Sequence, residues 1–327
     1  MLASLVNSLL DRFGMRLVRN SRVRPRTGRF QDLPEVRTLI GRIARDPADA
    51  AAHADYAALA LQHGKGFLAH AQARNAEWLT PTATNSGRVR IAAQALPPLS
   101  GLGHNAYHRL QALARILREE GLGPTSTVLD VGGGDGELAA FLSPASYFLA
   151  DPVANGIAAT DLPASIGPFD YVVSCHVLEH VEPAARSAFL DALIERAGDA
   201  VVLLNPFHLD AAGEQERLRL VIEITDAEWA KEHLQCSLPH LAEIERYALE
   251  QGLECTMQPV GALTTTLAHV FVEFFAGSAG MSSELQRINR FFNETLCEAE
   301  YSERYPTGFA VVLRRPRPAV TSLSSST

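Results

Sequence analysis

Residues 128 to 139 read VLDVGGGDGELA, with glycine at 132, 133, 134 and 136. So many glycines sacrifice backbone entropy, a loss tolerated where the main chain must approach a ligand closely. A turn running from an apolar strand into the helical ELAAFL also offers the ligand the positive end of a helix dipole, about +0.5 of a charge. A dinucleotide fingerprint requires GxGxxG. Counting from Gly132 gives Gly132, Gly134 and then Glu137, whose carboxylate would oppose a pyrophosphate. The spacing is GxGxG instead, and a ligand without phosphates fits it better.

Other residues suited to chemistry stand near the ends of apolar runs. Asp151 closes SYFLAD, and a carboxylate acting as a two-point acceptor suits a diol. His176 follows FDYVVSC, at the carboxyl edge where ligands of open α/β sheets bind. His208 and Asp210 stand in LLNPFHLD, and His269 and Glu273 share a helical face in TLAHVFVEFFAG. His208, His176 and His269 are therefore the candidates for a base that takes a proton from an acceptor hydroxyl. Each has a blander alternative: a solvated loop histidine, a backbone-facing residue at a cofactor, and part of a packed helical cap. His176 and His180 are four apart, but two ligands without a third do not make a metal site, and none is expected. Cys175, Cys236, Cys255 and Cys297 are widely spaced, with no CxxC pair, which argues against structural zinc and for a reducing compartment.

Four stretches in order, from about residue 104 to 315, resemble the class I S-adenosylmethionine (SAM)-dependent methyltransferases: the glycine turn, Asp151, ATDLP, and FDYVVSCHVLEHVEP. The trimmed form resembles methyltransferases of surface-glycan synthesis. The resemblance implies a Rossmann-like seven-stranded sheet with helices on both faces and SAM as cofactor. It implies that Asp130, Gly132 and Gly134 form the first motif and that Asp151 holds the ribose hydroxyls. By the same resemblance Asp161 and Leu162 meet the adenine, Cys175 and His176 lie against the methionine part, and Tyr107 donates to its carboxylate. Glu179 and His180 match the LEH signature, which implies a framework role. One departure stands out: only DPVANGIAAT separates Asp151 from Asp161, too little for the usual helix between the second and third strands. Residues 156–160 are accordingly expected to be a minimal third strand, with the helix reduced to a turn.

The elements that must position these residues follow from hydrophobic periodicity. STVLDV, SYFLAD, FDYVVSCHV, DAVVLLNP, ECTMQPV and GFAVVLRRP read as strands, alternating with helices at HNAYHRLQALARILREEGLG, PAARSAFLDALIERAG and LPHLAEIERYALEQGL. Apolar strands alternating with helices imply a parallel sheet covered on both faces. A long insert at about 262–307 is expected to form two helices, either a cap with its aromatics inward, an acceptor-site lid or a dimer contact. Residues 1–100 are expected to hold an amphipathic helix with arginines toward its end, a linker, and a helical hairpin broken at Gly64. That hairpin resembles a single tetratricopeptide-type repeat, which alone cannot bury its faces. The tail 317–327 lacks periodicity and is expected to be disordered.

The chain carries 29 Lys and Arg against 37 Asp and Glu, a net charge of −8, which argues against a general nucleic-acid binder. Its first 30 residues are the exception, with seven arginines and one acid. Such a start suits peripheral contact with an anionic membrane, a transit peptide, or docking on its own protein. No apolar run is long enough to span a bilayer, and the expected location is cytoplasmic or membrane-peripheral. The expected function is methyl transfer from SAM, as O-methylation of a sugar or glycan intermediate. Open alternatives are C- or N-methylation of a lipid-like or small aromatic acceptor, and a non-catalytic binding protein of the same fold. The oligomeric state is left open.

Overall fold

The structure is a computed structural model that describes residues 30–142, 145–209, 213–299, 302 and 304–316. The expected amphipathic helix at 1–20, Asp210 and the tail 317–327 lie outside the described residues.

Four helices come first: α1 (Pro34–Arg45), α2 (Ala50–Gln62), α3 (Gly66–Leu79) and α4 (Ala83–Gln94). Pro34 opens α1, Asp49 caps α2 by accepting from the Ala52 N–H at 2.9 Å, and Thr82 caps α4 by accepting from Asn85 at 3.2 Å. Gly64, at φ +68°, lets α2 reverse into α3. After α5 (His104–Glu119) come β1 (Thr127–Val131), α6 (Leu138–Phe141), β2 (Ser146–Ala150), β3 (Phe169–Cys175), α7 (Arg186–Arg196) and β4 (Ala197–Asn205). The chain continues through α8 (Glu214–Thr225), α9 (Glu228–Cys236), α10 (Leu241–Glu250), β5 (Glu254–Val260), α11 (Leu263–Ala279), α12 (Ser282–Thr295) and β6 (Gly308–Arg314).

The strands form one sheet in the order β2-β1-β3-β4-β6-β5, with β1 to β4 parallel and β6 antiparallel to both its neighbours. Alternate side chains feed two cores. Leu129, Phe148, Val172 and Leu203 pack with α1, α2, α7 and α10 on one face. Val128, Leu149, Val173 and Val202 pack with α5 and α6 on the other. Both faces are covered, as the near-continuous apolar runs of β1 to β4 require.

The sheet has six strands where seven were expected, and the missing one is the minimal third strand at 156–160. Beyond β2 the chain turns at once: the Asn155 N–H bonds back to the Asp151 carbonyl at 3.0 Å, and residues 159–161 form a short 3-10 turn. The place beside β2 is already taken by α3. The Asn75 amide donates to the Leu149 carbonyl at 2.9 Å and accepts from the Leu149 N–H at 2.8 Å, pairing with the outer rim of β2 as a strand would. Arg74 donates to the carbonyls of Ala139 and Ala145, and the Tyr56 hydroxyl donates to the Ala154 carbonyl at 2.7 Å. Small residues along α3 permit this approach: Ala69 and Ala73 enter one core and Ala71 the other. The hydrophobic core therefore runs across the expected boundary at residue 100, and the helical hairpin of α2 and α3 forms the side wall of the sheet. No helix among the described residues is long and apolar enough to cross a membrane.

Replacing Asn75 by Ala strips both rim bonds and leaves the buried Leu149 N–H without its partner, which should cost on the order of 2–4 kcal/mol. Urea unfolding measures this directly. A free energy equal to that of the wild type would show that the amide does not hold the edge.

Candidate active site

β1 delivers the chain into the glycine turn at the carboxyl end of the sheet, where each glycine has its own cause. Gly132, Gly134 and Gly136 hold φ of +73°, +59° and +77°, a region strained for any residue with a Cβ. A Cβ on Gly132 would run into the Val177 side chain, one on Gly133 into the Asp130 carboxylate, and one on Gly136 into Ala71 of α3. Gly134 meets nothing nearer than Glu137 at 4.0 Å and forms the open part of the turn.

Asp151 is bound to this turn. Its Oδ2 accepts from the Gly134 N–H at 2.9 Å, while Oδ1 accepts from Val153 at 2.8 Å and Ala154 at 2.6 Å. Three bonds leave the carboxylate about one further lone-pair site. Asp130 is buried, with Oδ2 accepting from the Tyr147 hydroxyl at 2.7 Å and Oδ1 without a partner. Burial, helped by the negative charges of Asp151 and Glu137, pushes its carboxyl up to about 7 against the opposing Tyr147 bond. Asp161 is exposed in the 3-10 turn, where Thr160 donates to it at 3.1 Å; Leu162 is buried and its carbonyl accepts from Arg196. Tyr107 packs edge-on against Phe141 of α6, with ring centroids 5.6 Å apart. Cys175 ends β3, and burial pushes its thiol up to about 12.

His176 follows in a left-handed conformation at φ +56°, held by its N–H bond to the Leu204 carbonyl at 2.8 Å. A non-glycine residue held there costs about 1–3 kcal/mol, and here the strain aims a side chain off the strand tip. His176 lines a cavity of about 410 Å³ at the carboxyl ends of β3 and β4. Val177, the next residue, is the side chain against Gly132, so turn and cavity flank the same tip.

Four elements close the cavity. α5 brings Asn105, His108 and Arg109; α8 and α9 bring Arg217, Leu218, Val221, Trp229 and His233; α11 brings Leu263, Thr266, Leu267, Val270 and Glu273. The insert at 262–307 thus covers the cavity, as a lid would, while Phe275 and Phe291 on its outer side remain exposed. Arg109 Nε, Arg217 Nη1, Glu273 Oε1 and His176 Nε2 are buried without hydrogen-bond partners. Burial depresses the Arg217 guanidinium and raises the Glu273 carboxyl.

Below His176 lies a cluster built on Glu179, which is fully buried. Its Oε2 accepts from the Asn205 amide, and its Oε1 stands 3.0 Å from His176 Nδ1 and 3.8 Å from His233 Nε2. Burial opposes ionisation of Glu179, but the imidazole groups around it and its own backbone N–H prevail and hold the carboxyl at about 2. Burial lowers His233 to about 4. His180, one third exposed, bonds through Nδ1 to Glu232 at 2.9 Å. Ligand atoms of Glu179, His180 and His233 lie within 4.8 Å of one another. Of the pair His176 and His180, only His180 belongs to this group, and α9 brings His233 to it. The sequence reading passed over the segment between His208 and LPHLAEIERYALEQGL, where EWAKEH places Trp229 and His233 four apart on one helical face.

The other two candidate histidines do not line the cavity. His208 pairs with Glu214 at 2.9 Å, and its ring lies 4.6 Å from that of His240; Asp210, expected beside it, lies outside the described residues. His269 is buried beneath the insert, 4.5 Å from the rings of His104 and Phe292.

Residues 102–258 match a family described as a methyltransferase domain. A search of curated protein sequences found no match. Among solved structures, the chain is similar to the plantazolicin methyltransferase BpumL in complex with a triazolic desmethylPZN analog and SAH, at 10% identity and a TM-score of 0.40, covering 78% of this chain and 99% of that one. It is also similar to magnesium protoporphyrin IX methyltransferase from Synechocystis PCC 6803 with bound SAM, at 13% identity and a TM-score of 0.37, covering 63% and 77%. The mycolic acid cyclopropane synthase CmaA1 with SAH and CTAB gives 17% identity and a TM-score of 0.41, covering 62% and 82%.

Asp130 also makes stability depend on pH in a defined direction. Its carboxyl in the folded chain titrates near 7, above the ordinary 3.8, so the stability it permits is complete below pH 3.8 and is lost as pH rises through 7. Relative to wild type, Asp130→Asn should gain on the order of 3–4 kcal/mol at pH 8 and little at pH 4. Thermal melts of both proteins across this range check it, and parallel curves would refute the assignment.

Proposed function

Because residues 102–258 match the methyltransferase-domain family, we propose that this protein transfers a methyl group from SAM to a hydroxyl of an acceptor held in the cavity beneath the insert. The observation that carries this reading is the tip of β3, which sets the glycine turn on one side and His176 with the cavity on the other.

The residues present fit SAM. Gly134 leaves the turn open to close approach, Asp151 keeps a lone-pair site for a ribose hydroxyl, and Asp130 Oδ1 and Arg109 Nε are buried atoms suited to the ammonium and carboxylate of an amino acid. Arg109 is a second donor for that carboxylate beside Tyr107, whose ring packs edge-on against Phe141. SAM supplies an electrophilic methyl group on a sulfonium. The chain's own task is to align the acceptor oxygen behind that methyl group, which contributes up to about 7–11 kcal/mol in favourable cases, and to keep water out. His176 Nε2 receives the hydroxyl proton as the new O–CH3 bond forms; the carbon–sulfur bond breaks with its electron pair remaining on sulfur.

The wall of the cavity favours an acceptor with an aliphatic or aromatic body. Leu218, Val221, Leu267 and Val270 give it apolar surface, while Arg217 offers a buried N–H to an anionic group. This supports the lipid-like or aromatic class over a bare sugar, with methylation at oxygen.

Two comparisons test the reading. Asp151→Ala should weaken SAM binding at least tenfold by calorimetry, and undetectable binding by the wild type would sink the enzyme reading outright. His176→Gln should lower kcat by about 10²–10⁴-fold with SAM affinity unchanged, while His208→Ala stays near wild type. Loss of SAM affinity in His176→Gln would make that residue a cofactor contact. Screening hydroxylated aromatic and aliphatic acids beside nucleotide sugars separates the acceptor classes, and turnover of the sugars alone would overturn the choice made from the cavity wall.

A further inference from the structure

We propose that Glu179, His180 and His233 bind a first-row divalent cation at the floor of the cavity. One carboxylate oxygen and two imidazole nitrogens from two separate elements, the turn after β3 and helix α9, converge within 4.8 Å. Bonds of about 2.1 Å to a common ion require such atoms to stand roughly 3 Å apart, a contraction within reach of side-chain rotation.

Three further observations separate this cluster from a chance grouping. Glu179 is fully buried, and its ion-pair partners among the described residues are both imidazoles. Its Oε1 has imidazole nitrogens at 3.0 and 3.8 Å. A buried carboxylate oxygen flanked by imidazole nitrogens is a donor arrangement that a metal ion completes.

The ligands also have outer partners of the kind metal sites use. Asn205 holds the other oxygen of Glu179, and Glu232 Oε2 stands 2.9 Å from His180 Nδ1, a carboxylate beside a ligating imidazole. His180 and His233 both line the cavity, so the open side of the ion faces the acceptor. Mixed imidazole and carboxylate donors select Zn²⁺, Mn²⁺, Fe²⁺ or Co²⁺ over Mg²⁺ and Ca²⁺. The use assigned to the ion rests on the methyltransferase reading: it holds the acceptor through an oxygen, which narrows the acceptor to molecules whose hydroxyl can ligate a metal.

The test is titration of the chelator-stripped full chain with Co²⁺, followed by visible absorption and calorimetry, with displacement by Zn²⁺. One equivalent should bind with d–d bands of a nitrogen- and oxygen-ligated site. His180→Ala and His233→Ala should each weaken binding at least tenfold, with unchanged circular dichroism; the one-third exposure of His180 makes its variant the safer for folding. No uptake by wild type, or wild-type affinity in both variants, overturns the proposal. SAM calorimetry on the same stripped samples keeps the two readings apart. SAM binding without Co²⁺ binding sinks the metal site alone, and Co²⁺ binding without SAM binding sinks the cofactor reading while the metal site stands.

Discussion

The outer rim of β2 must be paired, and the rest of the structure depends on how that is done. An edge strand buried on both faces cannot leave its N–H and C=O groups without partners. Here the two-point bond between Asn75 and Leu149 does the work of a neighbouring strand. Once α3 lies along that edge, its alanines enter both cores, Arg74 ties α6 through its carbonyls, and Ala71 presses on Gly136. The glycine turn is consequently fixed from outside the sheet by the helices that precede it.

The same logic reaches the cavity through the neighbouring strands. Asp151, released from β2 into an immediate turn, accepts from Gly134 and so joins two loops at the carboxyl edge. On the other side, Val177 fills the space that glycine at 132 leaves open, and the left-handed His176 points its ring into the cavity. A small displacement of α3 would therefore be felt at the turn and then at the tip of β3, because packed interiors transmit strain.

What was legible in the sequence was local. Six apolar runs became six strands, the glycine spacing excluded a dinucleotide turn, and the shortness of DPVANGIAAT marked the missing helix, although the minimal strand expected at 156–160 does not form. The illegible parts all depend on contacts between distant residues. Asn75 and Leu149 are 74 positions apart, so nothing in the spacing of the first helices shows that they seal a sheet. His180 and His233 meet only because α9 folds back over the turn after β3. His208 has a partner in Glu214 from the first turn of α8, which its spacing in the sequence does not announce. The assignment of Asp161 and Leu162 to adenine came from resemblance and gains no contact here that would carry it further.

The chemistry of the cavity follows from what its buried polar groups lack. An unsatisfied buried donor or acceptor costs about 1–3 kcal/mol, and Arg109 Nε, Arg217 Nη1, Glu273 Oε1 and His176 Nε2 each stand in that state. Such groups are tolerable only where bound molecules complete them, so binding free energy here comes from ending those deficits as well as from covering the apolar wall. A molecule that fills the wall but offers no anion leaves Arg217 Nη1 without a partner, and a polar molecule without an apolar body leaves Leu218, Val221 and Val270 in water. Discrimination built on unpaired buried groups is steeper than discrimination by a methylene in an apolar pocket, reaching about 10⁴–10⁵-fold where a site is made to hydrogen-bond its substrate. For an acceptor held in this cavity, selection therefore rests mainly on Arg217, with the aliphatic wall setting the size of what it can hold.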